Sequence, residues 1–118
     1  MTQVNIKRVY DEPSEQDGYR VLVDRLWPRG MKREYLKYVY WAKEVTPSND
    51  LRKWFHADIE KRWGTFADMY QKELNESDAA KAFIDKIKAY SKVTLLYASK
   101  EQERNHANVL KHYLDTHL

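Results

Sequence analysis

The stretch Val93–Ala98 reads VTLLYA, a short apolar run bounded by Lys92 and Ser99, and it is the clearest strand in the sequence. A run of that length without polar alternation suits a strand covered on both faces. Three segments with helical spacing precede it. Thr46-Pro47 reads as the opening of the first, with Thr46 as its cap and Leu51, Trp54 and Phe55 along one face. Trp63-Gly64 reads as a break, after which Thr65 caps a second helix carrying Phe66, Met69, Tyr70 and Leu74. Ser77 caps a third, whose buried stripe is Ala80, Phe83, Ile84 and Ile87. Beyond the strand, Asn105 to Thr116 sets His106, Val109, Leu110, Tyr113 and Leu114 on one helix face.

Toward the N-terminus the period changes from helical to alternating. Val4–Tyr10 (VNIKRVY) reads as a half-buried strand, and Tyr19–Val23 as a more buried one. Asp11–Gly18 (DEPSEQDG) between them is dense in turn formers. Met31–Tyr38 is expected as a short helix and Tyr38–Val45 (YVYWAKEV) as a third strand. Helices therefore fall between the second strand and the last, which makes those two parallel neighbours joined by a helical crossover. The expectation is an α/β fold with a small, mostly parallel sheet of about three to four strands under about four to five helices. One domain is expected over 1–118, since no repeat, low-complexity tract or Pro/Gly-rich linker divides the chain.

Composition narrows the chemistry. The chain has no Cys, which excludes disulfides, thiol catalysis and sulfur-built metal sites. With no charged-then-apolar leader and no long apolar run, a cytoplasmic protein is the default expectation, with no membrane partner. Lys and Arg number 21 against 18 Asp and Glu, a surplus of +3 that is small for a dedicated nucleic-acid clamp. The surplus is uneven: Arg25, Arg29, Lys32, Arg33 and Lys37 face Glu34 alone within 25–37. The four His and the acids show no metal-ligand spacing, and with three Gly there is no phosphate-cradling glycine loop. Neither a metal nor a cofactor is expected.

In open α/β sheets, ligands bind beyond the carboxyl ends of the strands. Two such ends concentrate chemistry. After Val21-Leu22-Val23 come Asp24, Arg25, Trp27, Pro28, Arg29 and Gly30; after Leu95-Leu96-Tyr97 come Ser99, Lys100, Asn105 and His106. Parallel, adjacent strands would turn both loops onto one cavity. Arg25 and Arg29 carry planar donor forks that suit phosphate or carboxylate, and Asp24 is placed to orient them or to form an internal ion pair. Trp27 either walls a ligand or plugs the core beneath the loop. His106 shares the inward face of its helix, where it is either a proton-transfer group or a hydrogen-bonded core histidine; Asn105 is placed as the helix cap. Ser99 lacks a nucleophile motif, Lys100 suits an anion contact, and Arg52 on the first helix is a further one. His56 suits a helix end, with a cavity contact left open.

The segments IKRVYD, GYRVLVDRLWPRG, TPSNDLRKWFH, TFADMYQKEL and VTLLYASK…NHANVL resemble, in order, the YeaO-like family, domain of unknown function 488. The matching positions are Asp24, Arg25, Trp27, Pro28, Arg29 and Gly30; Pro47, Ser48, Leu51, Arg52 and Phe55; and Lys100, Asn105 and His106. The resemblance implies a small bacterial-type cytoplasmic α/β protein and carries no reaction across. It also implies that members of the wider group place Cys-His where this chain has Asn105-His106, so thiol chemistry has no carrier here.

Three functional readings follow. The first is a site for an anionic, phosphate- or carboxylate-bearing small molecule held by Arg25, Arg29, Arg52, Ser99, Lys100 and Asn105, walled by Trp27, with Asp24 and His106 as candidate catalytic residues should there be turnover. The second is a nucleic-acid-associated module that uses the basic segment 25–37 with Trp27 and Tyr35 as stacking platforms. The third is a protein-interaction domain without a ligand, built on the aromatic surplus.

Overall fold

The computed structural model describes residues 2–118. Four strands, β1 (Gln3–Arg8), β2 (Tyr19–Leu22), β3 (Tyr40–Trp41) and β4 (Lys92–Tyr97), form one sheet in the order β1-β4-β2-β3. Every pairing is parallel, with Ile6 and Val21 both opposite Leu95. Four helices accompany them: α1 (Asn49–His56), α2 (Ile59–Asn75), α3 (Asp78–Ile87) and α4 (His106–His117). This is the small parallel α/β fold expected, with VTLLYA at its centre.

β4 lies between β1 and β2 and is buried from Val93 to Tyr97, which explains why its sequence lacks alternation. Its neighbours' alternate side chains separate two faces. Val21, Val23, Val93 and Leu95 pack with Leu51 and Phe55 of α1, Phe66 and Tyr70 of α2, Phe83 of α3 and Leu110 of α4 in the main core. Leu22 and Leu96 point the other way, into a small cluster with Val9 and Leu36. The helices thus cover one face, and the segment after β2 covers the other.

Several local expectations are corrected. Tyr38–Val45 is not one strand: only Tyr40–Trp41 pairs with β2, and Lys43–Val45 is a 3-10 turn closed by Thr46 Oγ1 donating to the Lys43 carbonyl at 2.7 Å. Thr46 is therefore not the cap of α1. That cap is Ser48, whose Oγ accepts from Leu51 N. Met31–Tyr38 reduces to a 3-10 turn at Arg33–Leu36, because Leu36 alone of that turn is buried. Gly64 does not break α2, and Thr65 caps nothing; the cap lies seven residues earlier at Asp58, whose Oδ1 accepts from Lys61 N. Phe66, Tyr70 and Leu74 anchor that helix on the core, which outweighs the modest helix penalty of one glycine, about 1 kcal/mol.

The turn 11–18 is fixed by charge and by glycine. Ser14 and Asp17 form a reciprocal capping box, and buried Asp17 also pairs with Lys7 at 3.1 Å and Arg20 at 3.3 Å. Gly18 has φ +66, and a Cβ there would lie 2.4 Å from the Lys92 carbonyl oxygen. Only glycine lets the chain enter β2 this close to β4. Among the described residues no helix is long and apolar enough to cross a membrane.

Candidate functional site

The carboxyl ends of β1, β2 and β4 are tied together by backbone and side-chain hydrogen bonds. Val23 N donates to the Leu96 carbonyl at 3.0 Å, so the loops after β2 and β4 leave the sheet side by side. Asp24 Oδ2 accepts from Ala98 N at 2.9 Å, and Trp41 Nε1 donates to the Asp24 carbonyl at 2.7 Å. Arg8, the last residue of β1, donates to the carbonyls of Ala98 and Ser99, and Tyr10 Oη donates to the Arg29 carbonyl. Between these loops and the α1–α2 corner lies a cavity of about 380 Å³. That is within the usual size of small-ligand sites, about 300–1,000 Å³.

Asp24, Arg25, Trp27, Arg29, Arg52, Ser99, Asn105 and His106 all line it. Segments some eighty positions apart are brought to one hollow by the parallel β2–β4 pairing. Lys100 is the exception: it is exposed and outside the cavity wall, because Ser99 Oγ accepts from Glu101 N and the tight turn this closes leaves the residue between them in solvent. Asn105 is buried, with Oδ1 accepting from Asn108 N and Nδ2 donating to the Glu101 carbonyl, so its amide caps α4. Asp24 does not orient Arg25 or Arg29. Its carboxylate instead stands 3.0 Å from His106 Nε2.

His106 is fixed by that arrangement. Its Nε2 lies 2.8 Å from the Val23 carbonyl and 3.0 Å from Asp24 Oδ1, both acceptors, so Nε2 carries a hydrogen. Trp27 is also held: its Nε1 donates to the Met31 carbonyl at 2.7 Å and its ring meets Trp41 edge-on at 5.3 Å. It lines the cavity as a fixed wall.

Four guanidinium groups, Arg25, Arg29, Arg52 and Arg104, stand around the cavity against the single carboxylate of Asp24. Among the described residues no salt bridge engages any of the four. Arg52 Nη2 donates to Asn49 Oδ1, while its Nε is buried without an acceptor. His56, one turn after Arg52, also lines the wall; burial first, then Arg52 and His106, hold its imidazole below the usual histidine value. Apolar surface comes from Phe55, Ile59, Phe66, Leu26, Pro28 and Pro47.

Sequence reasoning missed Tyr10 and Arg104. Tyr10 follows the carboxyl end of β1, a third strand of the same parallel sheet, and applying the strand-end rule to every strand would have reached it. Arg104 directly precedes the Asn105 cap, and treating 99–106 as one continuous loop would have included it. Phe55 and Phe66 give no such signal, since their spacing serves the core and the cavity floor alike.

These features define a small parallel α/β protein with a cationic, partly apolar cavity at the carboxyl ends of its central strands. The chain belongs to the DUF488 family: the family model that matches residues 3–118 is described as the inactive DUF488-N3 subclade. The chain is 43% identical over 111 residues to the uncharacterised protein YeaO of Escherichia coli (strain K12), covering 94% of this chain and 96% of that protein. It is 42% identical over 114 residues to uncharacterised proteins of Mycobacterium bovis and Mycobacterium tuberculosis, covering 97% of this chain and 95% of each relative. No solved structure matches the chain.

Proposed function

We propose that the cavity binds a small anionic molecule, phosphate- or carboxylate-bearing, without turning it over. The observation that carries this reading is the imbalance of the wall, Arg25, Arg29, Arg52 and Arg104 against Asp24 alone. Guanidinium forks match oxyanions in shape and charge. Arg52 gives one terminal nitrogen to Asn49 Oδ1 and, among the described residues, pairs with no carboxylate, so none competes with an incoming oxyanion for its guanidinium. The apolar part of the wall gives an organic body a place to lie beside the anionic head.

Binding without turnover is supported by how the reactive groups are engaged. Ser99 Oγ closes a turn, Tyr10 Oη holds the Arg29 carbonyl, and His106 Nε2 is directed at Val23 and Asp24. The description of the subclade as inactive agrees with this. In this reading Asp24 and His106 are positioning residues that fix the two loops around the ligand. A cytoplasmic setting and a single domain over 1–118 belong to the same proposal, on the grounds that the chain uses no cysteine and that one family model spans it.

Titration with inorganic phosphate, phenyl phosphate and benzoate, followed by tryptophan emission and arginine Nε–H resonances, tests the proposal. Phenyl phosphate is expected to bind more tightly than inorganic phosphate, and Arg52→Ala or Arg104→Ala to weaken it by about tenfold or more. No saturable binding of any of the three up to about 10 mM would remove the reading. Release of phosphate from phenyl phosphate would overturn its second half.

A further inference from the structure

The segment 32–38 lies outside the cavity and has no part in the site. It carries Lys32, Arg33 and Lys37 with Tyr35 and Tyr38, against Glu34 alone. Leu36 pins it to the sheet by packing with Val9, Leu22 and Leu96. The side chains on either side of that anchor turn outward: Tyr35 is 64% exposed and Tyr38 87%. Lys37 Nζ stands 5.6 Å from the centroid of the Tyr38 ring, so cation and ring face share one surface. Beside Tyr35 a second hollow of about 290 Å³ opens, lined by Val9, Tyr10, Met31 and Leu36 and, on its polar side, by Asp11, Glu12 and Arg20. The segment is locally positive, with three Lys and Arg against Glu34, a net of +2 in a chain whose total is +3.

We propose that this face binds single-stranded nucleic acid, with Tyr35 and Tyr38 stacking on bases and Lys32, Arg33 and Lys37 meeting phosphates. Two rings this exposed bury little against the core, and a flat ring offered to solvent among cations fits an unpaired base beside its phosphate. An acidic peptide would pair the cations and leave both rings without partners. A duplex would need an element long enough to enter a groove, whereas this face offers a four-residue 3-10 turn and a two-residue strand. With a net charge of only +3, binding is weak and sensitive to salt.

Fluorescence anisotropy with a mixed-sequence labelled single strand, its duplex and an acidic peptide, at about 50 and 200 mM salt, tests the inference. The single strand is expected to bind more tightly than the other two. Tyr35→Ala and Tyr38→Ala are each expected to weaken it by about fivefold or more, while Tyr35→Phe and Tyr38→Phe keep the stacking and the affinity. Replacing Lys32, Arg33 and Lys37 together by Ala is expected to flatten the slope of log affinity against log salt by about 2. Circular dichroism of each variant confirms the fold. No binding at about 50 mM salt, a duplex or acidic peptide bound as tightly, or loss on Arg25→Ala and Arg29→Ala without loss on the tyrosine changes each overturns it. Because none of the five residues lines the cavity, this result is independent of anion binding there.

Discussion

Asp24 Oδ1 stands 3.0 Å from His106 Nε2 and joins the end of β2 to the start of α4. The other carboxylate oxygen takes Ala98 N at the end of β4, and the Asp24 carbonyl takes Trp41 Nε1 beside β3. One residue thus fixes the separation of the two loops that wall the cavity. The Arg25 and Arg29 side chains are left to project from a held backbone, without a carboxylate partner among the described residues.

Asp24→Ala removes the acceptor of Ala98 N and the carboxylate facing His106 together. The expected loss is about 1–3 kcal/mol in urea unfolding, with faster amide exchange at Ala98. Asp24→Asn keeps an oxygen for Ala98 N and is expected to lose less. An unchanged midpoint for Asp24→Ala would show that the loops are held elsewhere.

Two glycines should respond in opposite directions. At Gly64, inside α2, a Cβ would meet nothing within 4 Å, so Gly64→Ala is expected to stabilise by about 0.5–1 kcal/mol through the unfolded chain and helix propensity. At Gly18 a Cβ would strike the Lys92 carbonyl at positive φ, and Gly18→Ala is expected to destabilise by about 2 kcal/mol or more. Thermal melts of the pair decide; a stabilising Gly18→Ala would contradict the close β2–β4 approach.

Tyr70 gives a third measure. Its hydroxyl donates to the Val45 carbonyl inside the core, and burial raises the phenol well above its usual value. Tyr70→Phe leaves that carbonyl unpaired and is expected to lose about 1–2 kcal/mol with no change in fold by circular dichroism. A neutral result would mean that water replaces the bond.

The parts of this fold legible in the sequence are those where one physical signal dominates. VTLLYA has no competing period, and Ser77 and Asn105 cap α3 and α4 because short polar side chains there meet free amides. Where two signals compete, the tertiary one prevails. Gly64 weakens α2 locally, yet the stripe Phe66, Tyr70 and Leu74 holds it; the β-rich letters of Tyr38–Val45 give way because β3 lies at the sheet edge with room to pair two residues. The cavity was half legible for a related reason. Arg25, Arg29, Asp24 and His106 stand out because the loops after β2 and β4 are dense in charge, whereas Tyr10 after β1 and Arg104 before the Asn105 cap sit at the same end of the sheet in stretches without that density.

His56 supplies a pH test that reaches the proposed site. Burial, the Arg52 guanidinium one turn before it, and His106 lower its pKa from 6.5, with Asp24 pulling the other way. The folded protein therefore binds fewer protons at His56 than the unfolded chain in the window between its lowered pKa and about pH 6.5. The stability this represents is present above that value and is lost as pH falls through the depressed folded pKa. His56→Gln is expected to flatten the fall, in urea titrations between about pH 7 and 5. An oxyanion seated against Arg52 offsets the positive field that depresses His56 and so draws a proton onto it. Sulfate, whose charge is constant over this range, is expected to bind more tightly as pH falls, with proton uptake measured calorimetrically in buffers of different ionisation enthalpy. Uptake should vanish in His56→Gln while Arg25, Arg29, Arg52 and Arg104 remain. Sulfate binding without proton uptake in the unsubstituted protein would place the anion away from the α1 wall.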